Sequence, residues 1–288
     1  MMVFLDIIYN LVVMFINKFI SMLYMIDVHA HLCFPQFDAD RRDVIKRCTK
    51  ELSGVVVSSA GYGESLDVLR LVKSYPEFLF PTIGHHPTEG TDYKGTIELI
   101  EKNGDVIVGV GEVGLDYHWE KNKERREKQK RIFRKFISLA ARLGKPLIIH
   151  SWDAEEECFN MVRDSGLVCV FHCFSGSIEL AERIISEGDF YISISTQVCF
   201  SKHHRKLVRM VPLKRFLLET DSPFLSPYKY NTSLKDASGF DPERNYPWNI
   251  KLSAERIARI KGMERDEILK YAGRNAARVF GLEGIFKI

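Results

Sequence analysis

The six cysteines of this chain (Cys33, Cys48, Cys158, Cys169, Cys173 and Cys199) include no Cys-x-x-Cys pair. That spacing argues against a thiolate zinc site and against a disulfide framework. Several of the six sit inside apolar runs, as reduced thiols of a cytoplasmic protein do. An excess of charge of one sign is also missing: 41 Lys and Arg stand against 38 Asp and Glu, a balance too even to declare a nucleic-acid binder from electrostatics alone. No low-complexity tract or linker divides the chain. No glycine-rich phosphate loop follows the first apolar run, where the sequence reads HAHLCFPQF, and this disfavours a doubly wound dinucleotide fold. What remains is 288 residues, 45% of them hydrophobic, enough for one core of barrel size.

Residues 1–24 stand apart as an apolar extension interrupted by Asp6, Asn10, Asn17 and Lys18. No basic segment precedes it and no small-residue cleavage site follows, so it makes a poor signal peptide. Its length just reaches a bilayer span, but the polar interruptions weaken that reading. Three readings stand open: initiation at Met22 or Met25, a membrane-associated helix, and a helix docked on the rest. Membrane contact is expected only if the extension belongs to the working protein. Residues 25–288 are expected to form the functional domain.

From Ile26 onward short apolar runs alternate with amphipathic stretches. The runs are IDVHAH (26–31), GVVVSS (54–59), FLFPTIG (78–84), VIVGVGE (106–112), LIIH (147–150), VCVFH (168–172), FYISIS (190–195) and RFLLETD (215–221). They are rich in β-branched and aromatic residues and bounded by Gly, Pro or polar residues, as strands buried on both faces are. Between them lie helical patterns such as RREKQKRIFRKFISLAARLGK, with apolar residues three and four apart and Gly144 at the end. Eight strands alternating with helices predict an α/β fold, a parallel (β/α)8 TIM barrel. The longest aperiodic stretch, 222–250, follows the eighth strand and is expected to cover the mouth.

Active sites of such barrels are built at the carboxyl ends of the strands. Those ends carry His29 and His31 on the first strand, Glu112 on the fourth, His150 on the fifth, His172 on the sixth and Asp221 on the eighth. His85 and His86 follow the third. Six of nine histidines thus gather at one end. Alternation puts His29 and His31 on the same side of their strand. Imidazoles and buried carboxylates converging on one mouth need a compensating positive charge. Their donor atoms, without thiolate, suit two divalent metal ions (Mg²⁺, Mn²⁺ or Zn²⁺) sharing a carboxylate. Cys169 and Cys173 flank His172 and are expected to pack on the opposite face. The basic run 121–135 alternates with acids and reads as a solvated helix face.

The motifs DVHAHL, GEVGLDYH, KPLIIHS, FHCFSGS, LLETDSPFL and RNYP resemble those of the TatD family of metal-dependent deoxyribonucleases, within the amidohydrolase-like barrels. The resemblance runs from about Met25 to NAARVFGL near the C-terminus. It implies one metal on His29, His31, Glu112 and Asp221, and a second on Glu112, His150 and His172. Activity is expected to be 3′-to-5′ exonucleolytic on single-stranded DNA, with RNA as a second candidate polymer. Asp221 is the candidate proton acceptor, with Glu112 as bridge, and His86, Ser175 and Trp152 as candidate substrate contacts. Two stretches depart from the family. GHHPT carries Thr88 where a second histidine is usual, and HSWDA carries Trp152 in place of an arginine. Neither touches an expected ligand, so both bear on substrate more than on catalysis. Two competing readings are disfavoured. A C–N or ester hydrolase of the wider superfamily often bridges its metals with a carboxylated lysine, and no lysine ends the fourth or fifth strand. A non-catalytic membrane-associated scaffold would have no need of the intact ligand set.

Overall fold

A computed structural model describes residues 24–230 and 239–286. The expectations for residues 1–23, and for 231–238 of the long loop, lie outside the described residues. Eight strands run β1 Ile26–Ala30, β2 Gly54–Ser58, β3 Leu79–His85, β4 Gly109–Asp116, β5 Leu147–Trp152, β6 Cys169–Phe171, β7 Phe190–Ile194 and β8 Phe216–Leu218. The intervening helices are α1 Arg41–Glu51, α2 Tyr62–Lys73, α3 Lys94–Lys102, α4 Lys123–Leu143, α5 Glu155–Val162, α6 Ile178–Ser186 and α7 Lys202–Met210. After β8 come α8 Pro227–Tyr230, α9 Ile250–Lys261, α10 Arg265–Phe280 and α11 Glu283–Phe286.

Each strand pairs in parallel with the next in chain order. β8 returns to β1 through a single bridge between Ala30 and Ser222, supported by His31 N donating to Ser222 O at 2.7 Å and Asp221 N to His29 O at 3.0 Å. The ring is therefore a nearly closed (β/α)8 barrel. No helix among the described residues is long and apolar enough to cross a membrane.

The helix patterns fold as their periodicity dictates. α4 buries Phe133, Phe136 and Leu139 against the sheet and ends at Gly144 with φ 61°, a conformation that costs glycine nothing. Its Arg and Lys residues lie mostly on the solvent side, as the mixed charge pattern predicts. Most of the core lies between strands and helices. A smaller cluster fills the barrel, with Ile26, Val28, Val56, Ile148, Val170 and Leu217 inside and Phe280, Leu282 and Phe286 closing its floor. Apolar side chains therefore occupy the amino-terminal half, and the polar ones gather at the other end.

Two strand boundaries differ from the sequence expectation. β4 runs from Gly109 to Asp116 rather than over 106–112, because its pairing with β3 and β5 begins only at Gly109 and Val110. β8 stops at Leu218, so Asp221 lies three residues past the strand in left-handed backbone, φ 57°. The bonds of Asp221 and His31 across the β1–β8 seam hold it at the mouth.

Candidate metal centre

Strict alternation along β1 would turn His29 away from the mouth. Ile26 and Val28 point into the barrel, so residue 29 should point toward the helices. The register between β1 and β2 shifts between Asp27 and Ala30, and this irregularity re-phases the strand so that His29 and His31 face the mouth. β4 has the same device, with register shifts against β3 and β5 across residues 110–113. Two glycines permit the close strand approach that follows. A Cβ on Gly84 would meet Glu112 O at 2.3 Å, and one on Gly114, at φ 149°, would meet His150 O at 2.0 Å. Only glycine lets β3, β4 and β5 press together around Glu112 and His150.

The Glu112 side chain, 3% exposed, sits between two groups of donors. Its Oε2 lies 3.3 Å from His29 Nε2 and 3.4 Å from His31 Nε2. Asp221 Oδ1 closes that side, 3.8 Å and 3.6 Å from the same two nitrogens. The other oxygen, Oε1, lies 2.8 Å from His150 Nδ1, 2.9 Å from His172 Nε2 and 3.5 Å from His86 Nε2. All six residues read as ligands from the sequence thus converge on one mouth, together with His86. Among the described residues, every triad of donors spaced to hold an ion falls in this cluster.

The geometry fits cations. His29 Nε2 and His31 Nε2 stand 3.2 Å apart, a separation that lets one donate to the other in the bare protein and lets both face one cation. His31 Nδ1 and His172 Nδ1 find no hydrogen-bond partner, nor do the carboxylate oxygens Glu64 Oε1 and Glu219 Oε2 behind them, at 3.8 and 3.6 Å respectively. His31 and His172 thus each present one nitrogen to the mouth and have a carboxylate behind the other, as metal-ligating histidines do. His29 Nδ1 is paired with Ser58 Oγ at 3.2 Å and His150 Nε2 with Asp116 Oδ2 at 3.1 Å. These backing residues, Ser58, Glu64, Asp116 and Glu219, were missed in the sequence. Glu219 lay in view inside LLETD, two residues before Asp221. The others carry no signal without knowledge of which nitrogen each histidine turns outward.

Charge is tightly coupled here. Burial works to raise the Glu112 carboxyl, but His172, His86 and His150 hold it well below the usual range. Burial opposes charge on His31 too, yet Glu112 and Glu64 push it up to about 10. His29 is lowered to about 4 by burial and by the neighbouring His172, whose ring stacks on it at 4.0 Å. Burial raises Asp221 to about 6 against the pull of His172 and His31. The cluster gathers positive charge around Glu112 even as a bare protein.

Other expected residues are placed as follows. His86 sits in the mouth, its Nδ1 2.6 Å from Thr88 Oγ1, so Thr88 orients it. Trp152 stands on the rim, 43% exposed. Ser175 lines the cavity and lies 3.3 Å from His204 Nε2. His85 does not join the mouth: its Nε2 meets Gly90 O at 3.2 Å and its ring lies parallel to Phe136 on α4, because the last residue of β3 faces the helix layer. Cys169 packs in the core as expected. Cys173 does not, because the strand has ended at Phe171. With φ 47° it turns into the cavity, its Sγ 3.4 Å from Gln197 Oε1. The 223–230 segment forms one wall of the cavity, whose volume is about 650 Å³.

Residues 26–281 match the family described as TatD related DNase. The chain belongs to this family. It is 39% identical over 259 residues to an uncharacterized metal-dependent hydrolase of Methanocaldococcus jannaschii, covering 88% of this chain and 96% of that protein. A protein of Erwinia tasmaniensis named 3′-5′ ssDNA/RNA exonuclease TatD is 29% identical over 270 residues, covering 90% of this chain and all of its own. In fold, the crystal structure of a TatD family hydrolase from Entamoeba histolytica superposes with a TM-score of 0.79 at 23% identity, over 90% of this chain and 98% of that one. As a TatD family member the chain is a metal-dependent hydrolase, and the imidazole and carboxylate cluster is the part of it equipped to hold the metal.

Proposed function

We propose that this protein is a 3′-to-5′ exodeoxyribonuclease preferring single-stranded DNA, with RNA as a second substrate. On this reading it holds two divalent ions (Mg²⁺, Mn²⁺ or Zn²⁺), one on His29, His31, Glu112 and Asp221, the other on Glu112, His150 and His172. The supporting observation is the divided environment of Glu112, one oxygen facing each donor group. Divalent cations in such a centre acidify water and offset the charge of a phosphate.

The chain's own residues do the rest. Glu112, held as a carboxylate, keeps the two donor groups together. Asp221, whose Oδ1 faces His29 and His31 at 3.8 and 3.6 Å, takes the proton of the attacking water and passes it toward the leaving 3′-oxygen. His86 Nε2 points into the mouth beside Glu112 Oε1 and meets a phosphate oxygen, while the Ser175 hydroxyl does so from the β6 loop. Trp152 offers an exposed ring to a base. The wall formed by 223–230 leaves a cavity that suits a threaded strand end better than a duplex. The name of the Erwinia protein supports the same polarity and strand preference. Residues 25–288 act as a single catalytic domain, and cysteines without a Cys-x-x-Cys pair suit the reducing cytoplasm.

The test is labelled single-stranded DNA in three forms: an unblocked oligonucleotide, one with 3′-terminal phosphorothioates, and a closed circle. Metal-dependent cleavage of the first alone is expected. Equal cleavage of all three would overturn the exonuclease reading, and no cleavage with any added ion would overturn the nuclease reading.

A further inference from the structure

The cavity wall around the metal centre is poor in lysine and arginine for a site meant to hold a polyanion. Among the described residues, Lys229 is the one lysine or arginine on the cavity wall, and it is paired with Glu243 at 3.1 Å. The rim is rich in aromatic surface instead, and that surface lies in two places. Beyond β4 and β5, Trp152 stacks on His118 with centroids 3.9 Å apart and planes within 8°. Trp119 stands across Trp152 at 83° and 6.1 Å. Beyond β1 and β8, Phe224 stands across Phe34 at 80° and 5.8 Å, and Phe34 stacks on His31 at 4.5 Å. Each group is an open corner made of two perpendicular rings. In a ring of eight strands in chain order, β4 and β5 lie opposite β8 and β1. The two corners therefore face each other with Glu112 between them.

Three of these rings stay open to solvent. Trp119 is 69% exposed, Trp152 43% and Phe224 45%, and all three line the same cavity as Glu112. Aromatic faces bind any nucleobase, because every base has a π-face.

We propose that the two corners form a base clamp, Trp152 with Trp119 holding the nucleobase on one side of the scissile phosphate and Phe224 with Phe34 holding the one on the other. The proposal rests on the nuclease reading. The substrate class it selects is a single strand whose bases can be splayed apart, because bases inside a duplex have both faces covered by stacked neighbours. Two stacked bases fix the phosphate between them over the centre, so recognition runs through ring stacking rather than ion pairs. Binding should then depend weakly on salt, unlike binding through many phosphate contacts.

The experiment has two readouts. The chain has three tryptophans, and Trp248 is buried and stacked on Tyr246. A fluorescence change on filling the cavity therefore reports on Trp119 and Trp152, which line it, and not on Trp248, which does not. Titrating the metal-loaded protein with a phosphorothioate single strand should quench it saturably, and Trp152→Ala should remove most of the quench. In steady-state cleavage, Trp152→Ala and Phe224→Ala should each raise KM about tenfold, with the larger change in KM than in kcat. Oligonucleotides carrying one abasic position then assign the sides. The Trp152→Ala penalty should vanish with the abasic position on one side of the scissile bond, and the Phe224→Ala penalty with it on the other. Thermal melting of both variants checks that the fold is kept, and Trp152→Phe should restore KM. Unquenched fluorescence in a wild type that cleaves, or penalties that persist on every abasic strand, would overturn the clamp. Saturable quenching without cleavage would instead overturn the nuclease reading and leave the aromatic site standing.

Discussion

Replacing Glu112 with glutamine exchanges one oxygen for an amide nitrogen and removes the charge on which the whole centre turns. Five imidazole nitrogens lie 2.8–3.5 Å from its two oxygens. The amide keeps the shape and one acceptor, but its nitrogen end would aim two protons at histidines that must offer lone pairs to a cation. A unit charge pair at about 4 Å in surroundings of effective dielectric 20 is worth about 4 kcal/mol. Losing the carboxylate should therefore weaken each cation by at least about a thousandfold. The metal-free fold should survive, because the glutamine fills the same volume and the strands around it are held by backbone pairing. The assay is calorimetric titration of Mn²⁺ or Zn²⁺ into EDTA-treated protein, with circular dichroism to follow the fold and hydrolysis of labelled single-stranded DNA to follow function. A Glu112→Gln protein that binds metal within about threefold of wild type, or hydrolyses at a near wild-type rate, would refute the reasoning.

Gly114→Ala places a methyl group 2.0 Å from His150 O in a backbone region alanine avoids, so urea unfolding should show a loss of about 3 kcal/mol or more. A smaller loss would mean that β4 and β5 separate easily. For pH, His31 at about 10 lies above its unfolded value and Asp221 at about 6 lies above its own. Groups raised in this way stabilise the metal-free fold below the unfolded pKa, and that contribution is lost as pH rises through the folded one. Metal, which displaces those protons, binds better over the same rise. The melting-temperature gap between metal-loaded and EDTA-treated protein should therefore widen from about pH 7 to 9, and a constant gap would contradict the coupling. Removing residues 1–23, which leaves Tyr24 packed against Gly273, should give a folded protein that hydrolyses its substrate, whereas insoluble or unfolded product would make the extension a structural element.

The barrel was legible because eight apolar runs alternating with helical patterns leave few alternatives. His29, His31, Glu112, His150 and His172 were legible because strands of that barrel bring their carboxyl ends together. The route by which they meet was not. Period-two alternation correctly pairs His29 with His31, but taken from Ile26 and Val28 it would point both outward, and only the register shift in β1 turns them in. A pairing irregularity has no sequence signature of its own, although the glycines of VGVGEVG hint at one in β4. Asp221 was expected at the mouth and lies there, but for an incomplete reason, since it sits beyond its strand and is held by the seam to β1. His85 and Cys173 were misplaced because one-residue differences in where a strand ends reverse the direction of the side chain. Glu219, Asp116 and Glu64 act from behind the histidines, and their positions depend on ring orientation, which only coordinates provide.

The central claim is that two cations on either side of Glu112 make this barrel a nuclease, and one titration tests it most directly. EDTA-treated protein is mixed with labelled single-stranded DNA, Mn²⁺ is added in steps below and above two equivalents, and bound metal and hydrolysis are measured on the same samples. The account predicts negligible hydrolysis without metal and full hydrolysis only as bound Mn²⁺ approaches two per chain. Full hydrolysis at one ion per chain, or hydrolysis indifferent to metal, would contradict it.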